Sequence, residues 1–155
     1  MPIPGTDTID LRSDTKTHPD AEMRLAMSEA EVGDDKSHED PTIKRLEEMS
    51  ADILGMEAGL FVVSGTMGNL VSIKTQTRPG QEIICEQRAH IYLWEGGGIS
   101  TICGLLPRLV PGVDGVMNPD DVETAISNGS NVHVGATGLV EIENTHNMAG
   151  GVAMS

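Results

Sequence analysis

The sequence predicts an α/β domain with a mostly parallel sheet and crossover helices. Short apolar runs typical of buried strands, such as Ile83 to Cys85, alternate with stretches whose apolar residues recur at helical spacing, such as residues 41–54. Polar residues follow the carboxyl ends of the predicted strands, where open α/β sheets bind ligands. A chain of 155 residues is long enough to form one domain with a hydrophobic core.

The first predicted segment is an N-terminal arm of residues 1–19, followed by a domain of residues 20–155. The stretch from Ile9 to Thr15 is mostly polar and has no helical periodicity, so it either packs on another surface or forms a disordered tail. A short helix is predicted over residues 20–31, because Met23, Ala26, Met27 and Ala30 recur at helical spacing.

The next segment is a charged loop followed by a capped helix. Residues 34–40 combine several carboxylates with His38, which is compatible with a metal site, but a solvated loop is favoured because the fixed spacing of a metal loop is missing. Asp40 is expected to cap the helix, Pro41 to begin it and Gly55 to end it.

A strand–turn–helix segment then predicts a phosphate site. The apolar residues Leu60 to Val63 suggest the first strand, and the turn Ser64-Gly65-Thr66 leads into a helix that reaches about Arg78. The first amides of a helix lack internal partners and attract anions, and glycine lets the backbone approach a ligand closely. The alternative is an ordinary turn between strand and helix, since neither a Walker A loop nor Gly-x-Gly-x-x-Gly is present.

His90 is the candidate functional histidine of the middle of the chain. It follows the buried-type strand Glu82 to Glu86 and lies beside Tyr92 and Trp94, two of the three aromatic residues. This position, just past the carboxyl end of a strand, is typical of ligand sites in open α/β sheets. A structural histidine is the alternative.

Two further strands complete the predicted sheet. Residues 105–110 form a third strand, and Pro107 favours a position at the edge of the sheet. After a helix over residues 119–126, residues 131–134 are predicted to be extended and carry His133. The fourth strand, residues 138–143, ends in the polar segment Glu143-Asn144-Thr145-His146-Asn147.

The net charge and the cysteines limit which partners and which cellular compartment are expected. The net charge of −14 disfavours nucleic acid and anionic membranes, whose binding proteins carry basic patches. Cys85 and Cys103 lack metal-binding spacing and are expected to be buried free thiols in a reducing compartment. The sequence shows neither a signal peptide nor a membrane-spanning stretch, so the expected location is the cytoplasm.

Six motifs occur in the order and spacing of one known family. They are Asp10-Leu11-Arg12-Ser13-Asp14-Thr15, Val32-Gly33-Asp34-Asp35, Glu39-Asp40-Pro41-Thr42, Ser64-Gly65-Thr66-Met67-Gly68-Asn69, Ala89-His90 and Glu143-Asn144-Thr145-His146-Asn147. In these motifs the chain resembles the low-specificity threonine aldolases. These are pyridoxal-phosphate enzymes of the β-eliminating lyase group, with the aspartate-aminotransferase fold (fold type I).

The resemblance implies a role for five residues. Gly65 and Thr66 correspond to the pair that binds the cofactor phosphate, and His90 to the histidine that stacks on the pyridine ring and transfers protons. Ser13 corresponds to a serine that helps hold the substrate carboxylate, and His133 to a second histidine near the substrate hydroxyl. The implied reaction cleaves L-threonine or L-allo-threonine, a small amino-acid substrate, to glycine and acetaldehyde. The implied assembly is a homotetramer, and no metal is implied.

The sequence also departs from the family pattern. Ser37 stands where the family usually has tyrosine, and Ala136 where it usually has arginine. The lysine that attaches the cofactor, the aspartate that pairs with the pyridine nitrogen and the arginine that grips the substrate carboxylate are expected beyond the matched portion. The four lysines present do not occur in the Ser-Lys-Gly context of the family; they are Lys16, Lys36, Lys44 and Lys74.

These departures leave two hypotheses open. The first is the N-terminal portion of a threonine aldolase, and the second is a non-catalytic homologue that lacks the attachment lysine. A nucleotide-binding module is disfavoured because no nucleotide motif is present. With only the first four strands of the fold, we expect the second and third strands to pair and the first and fourth to lose their neighbours. Such a sheet is expected to be unstable or to aggregate.

Overall fold

The structure, a computed structural model, describes residues 9–10 and 13–154. The chain divides into two compact units, with the boundary between Phe61 and Val62. Part of the predicted arm, residues 1–8 together with Leu11 and Arg12 of the first motif, lies outside the described residues. The division into an arm of residues 1–19 and a domain of residues 20–155 stays a prediction.

Within its described residues, the first unit contains two helices and two 3-10 turns. The turns comprise Asp14–Lys16 and Asp35–Ser37, helix α1 spans Ala21–Glu29, and helix α2 spans Pro41–Leu54. Helix α2 begins as predicted, with the Asp40 side chain accepting a backbone N–H of the first turn, and the structure shows that Asp20 caps α1 in the same way. Gly55 ends α2 in the left-handed conformation, at φ +64°.

Asp40 joins α2 to the preceding loop. Its Oδ1 accepts the N–H of Ile43 at 2.8 Å, and its Oδ2 accepts the N–H of Gly33 at 2.9 Å. These two backbone hydrogen bonds hold the pKa of the Asp40 carboxyl below its ordinary value, because they stabilise the ionised form. The sequence motif around Asp40 therefore serves a structural purpose in fixing the start of the helix.

The predicted first strand at Leu60 to Val63 is wrong. The structure has no strand there, and the backbone reaches helix α3 through bends and irregular conformation. No described strand runs alongside these residues to pair with them. The N–H of Phe61 instead donates to Glu47 Oε1 at 2.7 Å. A segment without a ladder partner must satisfy its amides in this way or with water.

The second unit carries the sheet and most of the core. Its helices are α3 (Gly65–Gln76), α4 (His90–Leu93), α5 (Gly98–Thr101) and α6 (Pro119–Ala125), and its strands are β1 (Glu82–Glu86), β2 (Leu106–Val110), β3 (Gly112–Val113), β4 (Val116–Met117) and β5 (Thr137–Val140). A 3-10 turn at Asn147–Ala149 follows β5. The predicted extended segment over residues 131–134 is wrong, because turn residues occupy that stretch.

The main sheet is parallel and has the order β2-β1-β5. Pro107 lies in the outer strand β2, as its missing amide predicts. The expectation that the fourth strand loses its neighbours is wrong, since β5 pairs with β1 and aligns Leu139 with Ile83. The alternation of strands and helices thus gives the predicted α/β fold with crossover helices.

Strand β1 is the centre of the core. All five of its residues are buried, which explains its continuous apolar run. Ile83 and Cys85 belong to a cluster with residues of α3, α4, α5 and the loops beside them; its other members are Ile73, Ala89, Ile91, Ile99, Cys103 and Leu105. Both cysteines are buried and free, as predicted. Burial, followed by the charges of Glu141 and Glu86, raises the pKa of the Cys85 thiol to about 12.

No helix within residues 9–10 and 13–154 is both long and apolar enough to cross a membrane.

Candidate functional site

The amino end of α3 forms an open anion-binding position. Ser64 caps the helix, and its Oγ accepts the N–H of Met67 at 3.1 Å. Within the described part of the chain, the N–H groups of Gly65 and Thr66 donate no hydrogen bond. A Cβ added at Gly65 would meet nothing within 4 Å. Twelve aligned residues add a positive dipole end, so these amides are suited to an anion.

His90 begins α4, and a buried carboxylate fixes its ring. Its Nδ1 lies 2.9 Å from Glu95 Oε1, and the glutamate side chain is fully buried whereas 40% of the histidine side chain is exposed. An ionised carboxylate can only accept, so Nδ1 carries the hydrogen and Nε2 keeps its lone pair. The other ring nitrogen, Nε2, makes no hydrogen bond to a described residue and is available as a base.

The same glutamate connects His90 to α3. Asn69, in the second turn of α3, donates its side-chain amide to Glu95 Oε1 at 2.6 Å. One oxygen thus receives hydrogen bonds from both elements that the sequence singled out. The hydrogen-bond series from Asn69 through Glu95 to His90 therefore connects the first half of α3 to the candidate histidine.

More carboxylates gather at the carboxyl ends of β1 and β5. Glu143 Oε2 accepts the backbone N–H of His90 at 2.7 Å. Glu86 pairs with His146, with 3.1 Å between Oε2 and Nε2. Glu141, just beyond β5, is held beside β1 because its N–H donates to the carbonyl oxygen of Ile84 at 2.8 Å. The predicted polar ends of two strands therefore do meet, as parallel strands require.

Glu141 has the most perturbed carboxyl of this cluster. Its Oε2 is buried and has no hydrogen-bond partner among the described residues. Burial first, and then the charges of Glu143 and Glu95, raise its pKa from 4.5 to about 7. The group is therefore partly protonated at neutral pH.

We expect this raised pKa to make the protein less stable as pH rises from about 4.5 to 7. In that window the folded state retains a proton that the unfolded chain has released, so the free energy of unfolding falls with pH. Glu141→Gln has a neutral side chain at both pH 5 and pH 8. The free energy of unfolding of the variant minus that of the unsubstituted protein should therefore rise by about 2 kcal/mol between pH 5 and pH 8, after allowance for partial exposure. Urea unfolding at the two pH values measures this difference.

The matched control is Glu123→Gln, since Glu123 is an exposed carboxylate on α6 of the same unit. Its stability difference from the unsubstituted protein should stay nearly constant between pH 5 and pH 8. A Glu141→Gln difference that is equally flat would contradict the assignment of the proton to Glu141.

A sequence model of the beta-eliminating lyase family matches residues 10–155. The chain belongs to the beta-eliminating lyase family. The resemblance that the six motifs suggest is thereby confirmed, and this family and the threonine aldolases depend on pyridoxal phosphate. The family model covers both polar strand ends and the amino end of α3.

Individual relatives carry threonine aldolase names. The chain is 47% identical over 152 residues to low-specificity L-threonine aldolase 1 of Arabidopsis thaliana, covering 96% of this chain and 42% of that one. It is 40% identical over 140 residues to low specificity L-threonine aldolase of Escherichia coli K12, covering 90% and 42%. The chain thus spans about two fifths of the length of these relatives.

A solved threonine aldolase structure from Leishmania major is also similar. It aligns with a TM-score of 0.49 and 31% identity, over 54% of this chain and 24% of that one.

The cofactor of this family fits the residues at the amino end of α3. Pyridoxal phosphate needs an anion site for its phosphate, and the unpartnered amides of Gly65 and Thr66 provide one. Its aromatic ring needs a flat surface, and the half-exposed ring of His90, held by Glu95, offers one. Both requirements are met within the second unit of this beta-eliminating lyase chain.

The other two predicted site residues make local hydrogen bonds. Ser13, in the first unit, is exposed and caps the turn at Asp14–Lys16, with its Oγ 2.8 Å from Thr15 Oγ1. His133 lies in an exposed turn, where its backbone N–H donates to Asn131 Oδ1 at 3.0 Å. The roles of both residues toward a substrate stay predictions. Of the two residues that depart from the family pattern, Ser37 donates its hydroxyl to Asp34 Oδ2 at 2.9 Å, and the Ala136 carbonyl oxygen accepts the N–H of Glu82 at 2.9 Å.

No group of three or more potential ligand side chains capable of holding a metal occurs in the portion of the chain that the structure describes. The acidic loop over residues 34–40 instead uses its side chains for local hydrogen bonds. Asp34, for example, accepts the N–H of Lys36 at 3.1 Å and the hydroxyl of Ser37 at 2.9 Å.

Sequence reasoning missed the groups that orient His90. Glu95 directly follows Trp94 and belongs to none of the six motifs. Asn69 is the last residue of the motif that begins at Ser64, and nothing in the sequence indicates that it contacts Glu95. The available signal was a carboxylate five residues after the candidate histidine, before three consecutive glycines. That signal is weak, because a glutamate in such a place is usually a solvated side chain.

Proposed function

We propose that this chain carries the phosphate-binding and ring-binding part of a threonine aldolase-like lyase. The reaction would be the retro-aldol cleavage of L-threonine or L-allo-threonine to glycine and acetaldehyde, with pyridoxal phosphate as cofactor. The observation that carries the proposal is the shared oxygen of Glu95, which joins the amino end of α3 to His90. The names of the similar proteins from Arabidopsis thaliana and Escherichia coli support the choice of substrate.

Each element of the site would have a distinct task. Gly65 and Thr66 would hold the cofactor phosphate with their backbone amides, and the His90 ring would pack against the pyridine ring. When bound, the cofactor supplies an electron sink for the carbanion that remains after the bond between Cα and Cβ breaks. Because Glu95 holds Nδ1–H, the ring of His90 keeps one orientation while it does so.

Cleavage also requires a base for the β-hydroxyl proton of the substrate. His90 Nε2 is suited to accept it, since the carboxylate of Glu95 fixes the hydrogen on Nδ1 and stabilises the imidazolium that results. The sequence resemblance assigns His133 to a place near the same hydroxyl and Ser13 to the substrate carboxylate. Both assignments form part of the proposal and are separately testable by substitution.

The wider context is also proposed by resemblance. The partner would be a small amino acid, in threonine catabolism or glycine biosynthesis, and the assembly would be a homotetramer in the cytoplasm. The net charge of −14 supports neither a nucleic-acid partner nor an anionic membrane surface.

A second candidate is a homologue that binds the cofactor without catalysis. Lys74, the one lysine of residues 62–154, donates its ammonium group to the Ile102 carbonyl oxygen at 2.7 Å. This contact directs the side chain toward the carboxyl end of α5. An ammonium group engaged in that hydrogen bond is not a free amine, and covalent attachment of the cofactor requires a free amine.

An assay of acetaldehyde release tests the proposal. The purified protein, expressed from its whole reading frame, is incubated with L-threonine or L-allo-threonine, with and without pyridoxal phosphate, and the absorbance of the mixture is scanned before and after borohydride reduction. The proposal predicts acetaldehyde production that depends on the cofactor. Binding of the cofactor without acetaldehyde, and without a borohydride-stable bond to lysine, would support the non-catalytic candidate instead.

A further inference from the structure

A buried acid–imidazole pair lies beneath the segment that leads to His90. Glu86 and His146 are only 2% and 1% exposed. Glu86 Oε2 accepts the N–H of Arg88 at 2.6 Å and lies 3.1 Å from His146 Nε2. Because a carboxylate oxygen only accepts, Nε2 carries the hydrogen of this imidazole. The pair therefore fixes the backbone at Arg88, two residues before the candidate catalytic histidine.

A second carboxylate fixes the backbone at His90 itself. Glu143 Oε2 accepts the N–H of His90 at 2.7 Å, and its Oε1 accepts the N–H of Asn147 at 2.8 Å. His146 Nε2 lies 3.7 Å from the same Oε2. The hydrogen on Nε2 is thus close to one oxygen of each glutamate, and it reduces the repulsion between the two carboxylates.

The hairpin of β3 and β4 holds the imidazole in place. A Cβ added at Gly115 would lie 2.3 Å from His146 Cγ, and one added at Gly112 would lie 2.6 Å from Glu86 Cγ. Only glycine allows the hairpin backbone to approach the two side chains this closely. Neither ring nor carboxylate can rotate away without moving the hairpin.

We propose that Glu143 and His146 are positioning residues for His90. Glu86 accepts the backbone N–H of Arg88, and Glu143 accepts the backbone N–H of His90. His146 lies between these two carboxylates, and Glu95 separately orients the ring of His90. Residues that follow β5, more than 50 positions after His90 in the chain, thereby fix the position of this histidine. The proposal rests on the proposed function only for what His90 does, and not for how it is held.

Amide hydrogen exchange of the purified protein tests the grip on His90. In Glu143→Ala, the His90 amide should exchange about 10- to 100-fold faster, the range expected when a hydrogen bond to a charged group is lost. The amide of Ile84 in β1 should change less than about twofold. The matched control is Glu123→Ala, which removes an exposed glutamate of α6 and should leave both amides unchanged.

The ring of His90 gives a second readout, and the Ile84 amide shows whether a change in that readout is local or accompanies general loosening of the fold. With Glu143 intact, the two imidazole nitrogens should show the separate ¹⁵N resonances of the tautomer with hydrogen on Nδ1. Loss of Glu143 should move these resonances toward each other, because the freed backbone lets the ring leave Glu95 and exchange tautomers. Neither readout depends on threonine cleavage, so failure of this proposal is distinguishable from failure of the proposed function.

Either of two results would overturn the proposal. The first is an unchanged exchange rate of the His90 amide in Glu143→Ala while the Ile84 amide stays protected. The second concerns a Glu143→Ala protein whose fold has loosened. If Glu143→Ala exposes Ile84 as well, Glu143→Gln decides the question, since it retains the side-chain volume and one acceptor oxygen. The proposal then requires faster exchange at His90 or Asn147 in Glu143→Gln, and it fails if both amides keep their protection.

Discussion

Replacing His90 with alanine is expected to lower kcat for threonine cleavage by about 100- to 10,000-fold, the usual contribution of a general acid–base group. The substitution removes both the ring that would pack on the cofactor and the basic Nε2. It also leaves the buried Glu95 with Asn69 as its remaining side-chain partner. Steady-state kinetics of acetaldehyde release measures the change.

Tyr92→Phe is the matched control for this substitution. Tyr92 lies two residues after His90 on the same short helix and is partly exposed. Its hydroxyl makes no hydrogen bond to a described residue, so the loss of that hydroxyl should leave kcat within about twofold. An active His90→Ala protein with kcat close to that of Tyr92→Phe would remove His90 from the proposed chemistry.

Gly115→Ala is expected to destabilise the protein by roughly 2–5 kcal/mol. Gly115 adopts φ +82°, where a Cβ costs roughly 1–2 kcal/mol, and the new Cβ would also overlap the buried His146 ring. Overpacking of this kind adds about 1–3 kcal/mol. Chemical unfolding monitored by circular dichroism gives the free-energy difference.

Gly150→Ala separates the two causes. Gly150 has the same φ of +82°, but a Cβ there meets nothing within 4 Å. Its cost should therefore be the backbone strain alone, roughly 1–2 kcal/mol. Equal losses of stability at Gly115 and Gly150 would show that the hairpin does not press on His146.

Local signals in the sequence predicted four of the six helices that the structure describes (α1, α2, α3 and α6) and the central strand, but not the short helices α4 and α5. The cap at Asp40, the proline after it and Gly55 define α2 to the residue, and the buried run Glu82 to Glu86 is β1. Pro107 placed β2 at an edge because proline lacks an amide. These features depend on residues within a few positions of each other, where capping and propensity decide the outcome.

Strand pairing was harder to predict, because it depends on neighbours distant in the chain. Leu60 to Val63 has the composition of a strand but no partner strand among the described residues, so composition alone misled. The fourth strand was expected to be isolated, yet it aligns with β1 over a separation of more than 50 residues. Apolar composition is compatible with several pairings, and only the tertiary arrangement selects one.

Only the part of the candidate site that depends on local sequence signals could be predicted. Gly65, Thr66 and His90 could be found from motifs, since each lies at a strand or helix end recognisable from its flanking residues. Glu95 and Asn69, which orient His90, could not be found, because their contact spans 26 residues and neither has a distinctive neighbourhood. The raised pKa of Glu141 likewise follows from burial beside Glu143 and Glu95, which the sequence does not reveal.

Equilibrium binding of pyridoxal phosphate, compared with pyridoxal, tests the central claim most directly. The amides of Gly65 and Thr66 contact only the phosphate in this account, so pyridoxal phosphate should bind at least about 100-fold more tightly than pyridoxal. Gly65→Asp places a negative charge in open space at a helix position that favours aspartate, and it should abolish this preference. Ser72→Asp, with the same charge on the exposed later part of α3, should preserve it. Equal affinities for the two ligands, or an unchanged preference in Gly65→Asp, would contradict the account.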